Sequence, residues 1–342
     1  MRRRPTRHLT VLTAIGALML AGCGTTPGER DDPDDRGASG AGGNVVAREV
    51  MRLTTEHEET GMTLLEGPVF DEDGHLLVVD VTAPADEPKV LRVDVRKKTS
   101  RPFFTDERGA YTSAQFSPYD GRLYLTDFAN GDIVSLDSDG GDRRTFFGGE
   151  VDGTRMHPDD IAFDQDGNLY ISDSGTYGQE NPEGRVIRID RTGDHAAVLA
   201  DELASANGIS FDADYDGLWF SELTENRISY LLLDGDGKVA SRHTAIHVNG
   251  GTAQTDSIAV DADGNLYQGL HGRPGIVVYS ASGELLTTVD VPSARAEGLT
   301  SATNVAITPG GTKAYMTVSG PAGGYLYAFD ALAEGIRQSN GG

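Results

Sequence analysis

The sequence holds one cysteine and one tryptophan in 342 residues, and 29 lysines and arginines against 53 aspartates and glutamates. Helical periodicity is nearly absent as well. Each shortage excludes something. A single cysteine rules out an internal disulfide and any CxxC motif, so stability must come from a packed core. A formal charge of −24 argues against nucleic acid or an anionic membrane surface as partner. HExxH, a phosphate-cradling glycine loop opening a helix, and G-x-S-x-G are missing too, which leaves zinc-protease, nucleotide and serine-hydrolase chemistry without support. The longest apolar run, LTVLTAIGALML at residues 9–20, is too short to cross a bilayer as a helix of about 20 residues.

That run follows Arg2, Arg3, Arg4 and Arg7 and ends at Leu20-Ala21-Gly22-Cys23, the layout of an export signal. Leu-Ala-Gly-Cys resembles the lipobox of bacterial lipoproteins, which implies that Cys23 is lipidated and becomes the new N-terminus. The expected location is the outer face of the cytoplasmic membrane, with the protein held there by its lipid. Loss of the four signal arginines takes the charge from −24 to −28. Residues 23–44 are polar and rich in Gly, Pro and Asp, so they read as a tether that cannot offset the entropy of ordering itself. Residues 45–338 are left for one domain.

What that domain does contain is a repeat. EGPVFDEDGHLLVVDV from Glu66, TSAQFSPYDGRLYLTDF from Thr112, DDIAFDQDGNLYISDS from Asp159, NGISFDADYDGLWFSEL from Asn207, DSIAVDADGNLYQGLHG from Asp256 and TNVAITPGGTKAYMTV from Thr303 align, spaced 46, 47, 48, 49 and 47 residues apart. Each copy has a short apolar strand, an Asp- and Gly-rich turn and a second alternating strand, and a third strand such as KVLRVDV or GRVIRID follows. The period fits one four-stranded propeller blade. The expected fold is all-β: a six-bladed β-propeller whose last blade, short of one strand, is completed by residues of about 46–54, leaving no open sheet edge. DEDG, DQDG and DADG look like calcium-loop fragments. They recur at the same turn and lack the twelve-residue loop of an EF-hand, so they read as hairpin turns.

The register places Glu66, Thr112, Asp159, Asn207, Asp256 and Thr303 at one height around the central tunnel, with Ser257 and Asn304 next along. Three converging carboxylates repel and raise one another's pKa unless a cation neutralises them. All-oxygen donors suit calcium better than zinc. The plainer alternative is a set of polar residues that merely bond strand ends and tunnel water. Fourteen or fifteen residues after the ring come Asp80, Asp127, Asp173, Glu222 and His271, expected at the same end and just outside it. His271 there could accept or relay a proton or could be a surface histidine, and the carboxylates read chiefly as ties between loops. Thr112, Asn304, Glu222 and His271 are the candidate substrate contacts. Specificity is expected in loops 174–184 and 271–275.

LEGPVFD, PDDIAFD, SANGISFD, LTENRI and TDSIAVDADGNLYQGLHG, within residues 60–335, resemble the senescence-marker-protein and gluconolactonase-like family of six-bladed propellers, in particular its bacterial lactonases. The resemblance implies a calcium-dependent hydrolase that opens lactone rings. It implies metal ligands at Glu66, Asp159, Asn207, Asp256 and Ser257, and a catalytic acid/base at Asp256. Some relatives hold a second, structural calcium. The stretch GGEVDGTRMHPDD offers Glu150, Asp152 and Thr154 for it without a close match, so that ion stays undecided. The expected substrate is a small lactone or ester. The alternatives are a membrane-tethered propeller that binds a ligand or protein, and a promiscuous esterase or organophosphate hydrolase.

Overall fold

The computed structural model describes residues 43–176 and 182–339. Cys23, the signal, all of the tether except residues 43–44, and residues 177–181 of the expected specificity loop lie outside them. Among the described residues the architecture is all-β, with only three-residue 3₁₀ turns besides the strands. No described helix is long and apolar enough to cross a membrane.

The sheets follow the repeat. The first is a meander of Leu65–Phe70, Leu76–Asp80, Pro88–Asp94 and Thr99–Thr105, and three more four-stranded meanders follow. The seven strands from Gln254 onward join Val45–Val46 and Arg48–Thr54 in one nine-stranded sheet, in which Leu270 pairing with Ala302 joins two meanders. Its outermost strand is Arg48–Thr54, which runs antiparallel to Gly323–Asp330. Residues just before it behave differently from expectation. Val45–Val46 pairs in parallel with Leu285–Asp290 instead, and Asn44 Oδ1 accepts from Thr288. Ala47, fully buried, is the joint between the two pairings. Gly43 and Asn44, the last tether residues, precede the strand and are met by the Thr287 and Thr288 hydroxyls.

Alternation of side chains along each strand lets every sheet bury both faces against its neighbours. Leu77, Val79 and Val90 of the first sheet pack with Ala114, Leu123 and Val134 of the second. Leu65, Leu76 and Val78 on the other face pack with Ala306 and Leu326 of the last. The first hairpin turns are built as the sequence indicates. Asp71 Oδ1 accepts from the Asp73 and His75 N–H groups, and Asp164 and Asp261 repeat that pattern. Oδ1 of each of these aspartates is thus taken up by its own turn.

Candidate active site

All six first strands carry a register shift, at one place in five of them and one residue later in the first. It falls between Glu66 and Val69, Tyr111 and Ala114, Pro158 and Ile161, Ala206 and Ile209, Thr255 and Ile258, and Ala302 and Val305. A bulge sets two consecutive residues opposite one partner and breaks the strict alternation of faces. Five strands thus offer a bracketed pair, Thr112–Ser113, Asp159–Asp160, Asn207–Gly208, Asp256–Ser257 and Thr303–Asn304, while in the first the shift brackets Gly67–Pro68 and Glu66, paired with Val79, stands just before it.

Second-strand side chains hold these pairs. The Thr126 hydroxyl accepts from Ser113 N–H at 2.8 Å and donates to the Asp159 carbonyl at 2.7 Å. Ser221 accepts from Gly208 N–H and donates to the Asp256 carbonyl. Thr317 accepts from Asn304 N–H, while Thr303 donates to the Leu65 carbonyl. Thr112 is occupied in the same way, bonded to Thr126 and to the Asp159 carbonyl. In this way one sheet fixes the backbone of the acidic residue on the next.

The carboxylates of Glu66, Asp159, Asp160 and Asp256 are all buried. Burial, reinforced by Asp256, Asp159 and Asp160, holds the Glu66 carboxyl well above the usual range. Burial and then Asp159 do the same to Asp256, as they do to Asp160. Among the described residues, Glu66, Asp160 and Asp256 have no lysine or arginine in ion-pair contact. The Asn207 amide donates to Asp159 Oδ2 at 3.1 Å, which leaves its buried Oδ1 without a partner. Ser174 also donates to Asp159, at 2.7 Å. Three acids and an outward-turned amide oxygen are the donor chemistry of a hard cation, so the residues present fit calcium or a similar ion. No three of the carboxylates have oxygens mutually within 4.8 Å. The described group that does, Asp71, Asp73 and His75, has the Arg92 guanidinium against both acids, at 2.6 and 2.8 Å, in place of a metal.

Residues 64–320 match the family model described as the SMP-30/Gluconolactonase/LRE-like region. The chain belongs to this family. Lactonase drp35 of Staphylococcus haemolyticus is 27% identical over 283 residues, covering 79% of this chain and 84% of the relative. Lactonase drp35 of Staphylococcus aureus strain MW2 is 30% identical over 241 residues, covering 68% and 71%. Among solved structures, a gluconolactonase from Xanthomonas campestris superposes with a TM-score of 0.66 at 20% identity, over 85% of this chain and 99% of that one. The calcium-binding protein regucalcin from Agrobacterium tumefaciens gives 0.68 at 15% identity, over 88% and 99%. These structures establish the fold, a β-propeller. The relatives place the chain among lactonase- and gluconolactonase-like proteins.

In this SMP-30/gluconolactonase-like chain the outer acids are ties. Asp80 bonds His57, Asp127 bonds Asn130, and Asp173 takes two hydrogen bonds from Arg185. Glu222, a candidate substrate contact, is committed elsewhere. Burial acts to raise its pKa, but hydrogen bonds from Arg227, Ala204 N–H and Ser229 bring it below the usual range. His271 is a quarter exposed, with Nδ1 3.8 Å from Asp256 Oδ2 and 3.4 Å from Ser301 Oγ. Burial lowers its pKa, which favours the neutral ring. Glu150, Asp152 and Thr154 lie on a two-residue-strand hairpin, exposed, and Asp152 has φ 52°. Asp160 is the site residue that alternation hides. It follows Asp159 directly, and only the bulge brings it inward.

Proposed function

We propose that the protein is a six-bladed propeller, closed by Arg48–Thr54, that hydrolyses a small lactone or ester with calcium held by Glu66, Asp159, Asn207, Asp256 and Ser257. Four buried carboxylates at the axis carry this reading, because burying that much charge uncompensated is prohibitive. The pairing of Arg48–Thr54 with Gly323–Asp330 and the shared core of first and last sheets support closure. A divalent cation bound there supplies a Lewis acid for the ester carbonyl and for the negative charge that develops on its oxygen. Asp256 takes a proton from the attacking water and returns it to the leaving ring oxygen, so the C–O bond opens to a hydroxy acid. Its backbone is fixed for this by Ser221 and Gln268, which donate to its carbonyl at 2.7 and 2.8 Å. His271, at the mouth, and Asn304, one step inward, are positioned to contact substrate. The arginine-led apolar N-terminus and Leu20-Ala21-Gly22-Cys23 support export and a lipid anchor on Cys23 as part of this reading.

Hydrolysis of a panel of aromatic and sugar lactones, with calcium and after EGTA, tests the reading. Activity should vanish with EGTA and return with calcium. Asp256→Asn should lose at least a hundredfold in kcat while calcium still raises its melting temperature. Wild-type turnover by that variant would falsify the role of Asp256. If no lactone or ester is cleaved although calcium stabilises the protein, it is a tethered binding scaffold.

A further inference from the structure

The bulges at or next to Glu66, Asp159, Asn207 and Asp256 place a second layer beneath them, and that layer has its own unmet chemistry. Asp160 is 1% exposed, and neither of its carboxylate oxygens accepts a hydrogen bond. Ser113, fully buried, has a partnerless hydroxyl. Asp160 is approached by the side chains of Ser113 and Ser257, which come from two different sheets, but none of these approaches has hydrogen-bond geometry. The carboxylate therefore projects into the space that the strands enclose rather than into either strand's own bonding.

We propose that the tunnel holds a second hard divalent cation on this lower layer, with Asp160 and Ser113 as ligands and Ser257 between the two layers. The unmet donors decide the number of ions: an ion held by Glu66, Asp159, Asn207 and Asp256 leaves both Asp160 oxygens and the Ser113 hydroxyl, all buried, without a partner, and a second ion beneath it meets them. The donors are carboxylate and hydroxyl oxygens, as calcium prefers, and water completes its six to eight ligands. The competing way to settle Asp160 is to leave it protonated above a single ion, and the two differ in a countable quantity. The proposal rests on the upper ring holding the first ion.

The test is the number of calcium ions bound per full-length chain, by equilibrium dialysis and native mass spectrometry with calcium as the only added ion. Wild type should bind two and Asp160→Asn one. Ser113→Ala, a milder change, should weaken the second binding step at least tenfold and leave the first unaltered, which keeps the proposal testable should Asp160→Asn fail to fold. One ion in wild type overturns the lower site alone and leaves Asp160 protonated. Loss of both ions from a folded Asp160→Asn also overturns it, because Asp160 would then serve a single shared ion. No ion in wild type overturns the upper ring as well.

Discussion

His57 shows how one side chain ties the segment after Arg48–Thr54 to the first sheet. It lies between Arg48–Thr54 and the first inner strand, with Nε2 2.8 Å from Asp80 Oδ2 and Nδ1 3.2 Å from Glu87 Oε2. The hydrogen bond to Asp80 raises its pKa above the ordinary value, against the opposing effect of burial. A raised folded-state pKa stabilises the fold fully below the unfolded value of about 6.5, and that stability is lost as pH rises through the folded value. His57→Gln should accordingly lower the melting temperature most near pH 6, with the gap closing by about pH 9. Circular dichroism melts across that range would show a constant gap if His57 acts only by packing. Legibility at this scale is uneven. The ring residues follow from the repeat, because one register puts them at one height. Asp160 does not, since alternation sends consecutive residues to opposite faces and nothing local in PDDIAFD announces a bulge. The partners of the outer acids, such as Arg227 for Glu222, also depend on third strands whose register the repeat leaves loose.

The recurring element is the bulged first strand with a second-strand hydroxyl tie, present in four of the six repeats; the first repeat has Val79 at that position, and the fifth departs more sharply. Thr126, Ser221 and Thr317 supply a hydroxyl to the bulge, but the matching residue between Gln268 and Leu270 is Gly269. A Cβ there would sit 1.9 Å from the Thr303 carbonyl oxygen and 2.6 Å from its carbon. The two strands press together at this point, and the amide of Gln268 donates instead to carbonyls of its own sheet, those of Asp256, Ser257 and Gly269. Gly269→Ala must push strand from strand beside Asp256, at a cost of about 1–3 kcal/mol or more for an overpacked core. Gly269→Ser should be no better, although neighbouring repeats carry a hydroxyl here. Urea unfolding measures both, and values within about 0.5 kcal/mol of wild type, the range of ordinary surface changes, would mean that the close approach does not constrain the fold. The hairpins themselves were legible in the Asp- and Gly-rich turns. The loss of the hydroxyl at Gly269 was not, because the close approach that requires it lies in space rather than in sequence.

Considered as a whole molecule, the tunnel has two ends, and the chain treats them differently. The carboxylates stand at the start of the first strands. Residues 331–339, which the sequence presents as a short polar tail, lie across the other end. Leu332 N–H donates to Tyr267 at 2.7 Å, and the Glu334 carbonyl accepts from Ala262 N–H at 2.9 Å. Gly335 bridges Asp261 and Pro309, while Arg337 donates to the Phe116 carbonyl. Gln338 reaches the Asp212 carbonyl at 3.0 Å, and Ser339, fully buried, donates to the Val260 carbonyl. One segment therefore bonds the far ends of first strands from several sheets. Beneath it, Gln115, Ala162, Ser210 and Gln338 line a cavity of about 20 Å³, room for a single water. On the proposed function, ions and substrate then enter and leave past the acidic ring. Ending the chain at Asp330 should open the far end and lower the melting temperature. It should also speed calcium release, followed by stopped flow with a fluorescent chelator, by at least threefold. An unchanged release rate in a folded truncation would make residues 331–339 a strut between sheets rather than a plug, with ions leaving only through the mouth in either form.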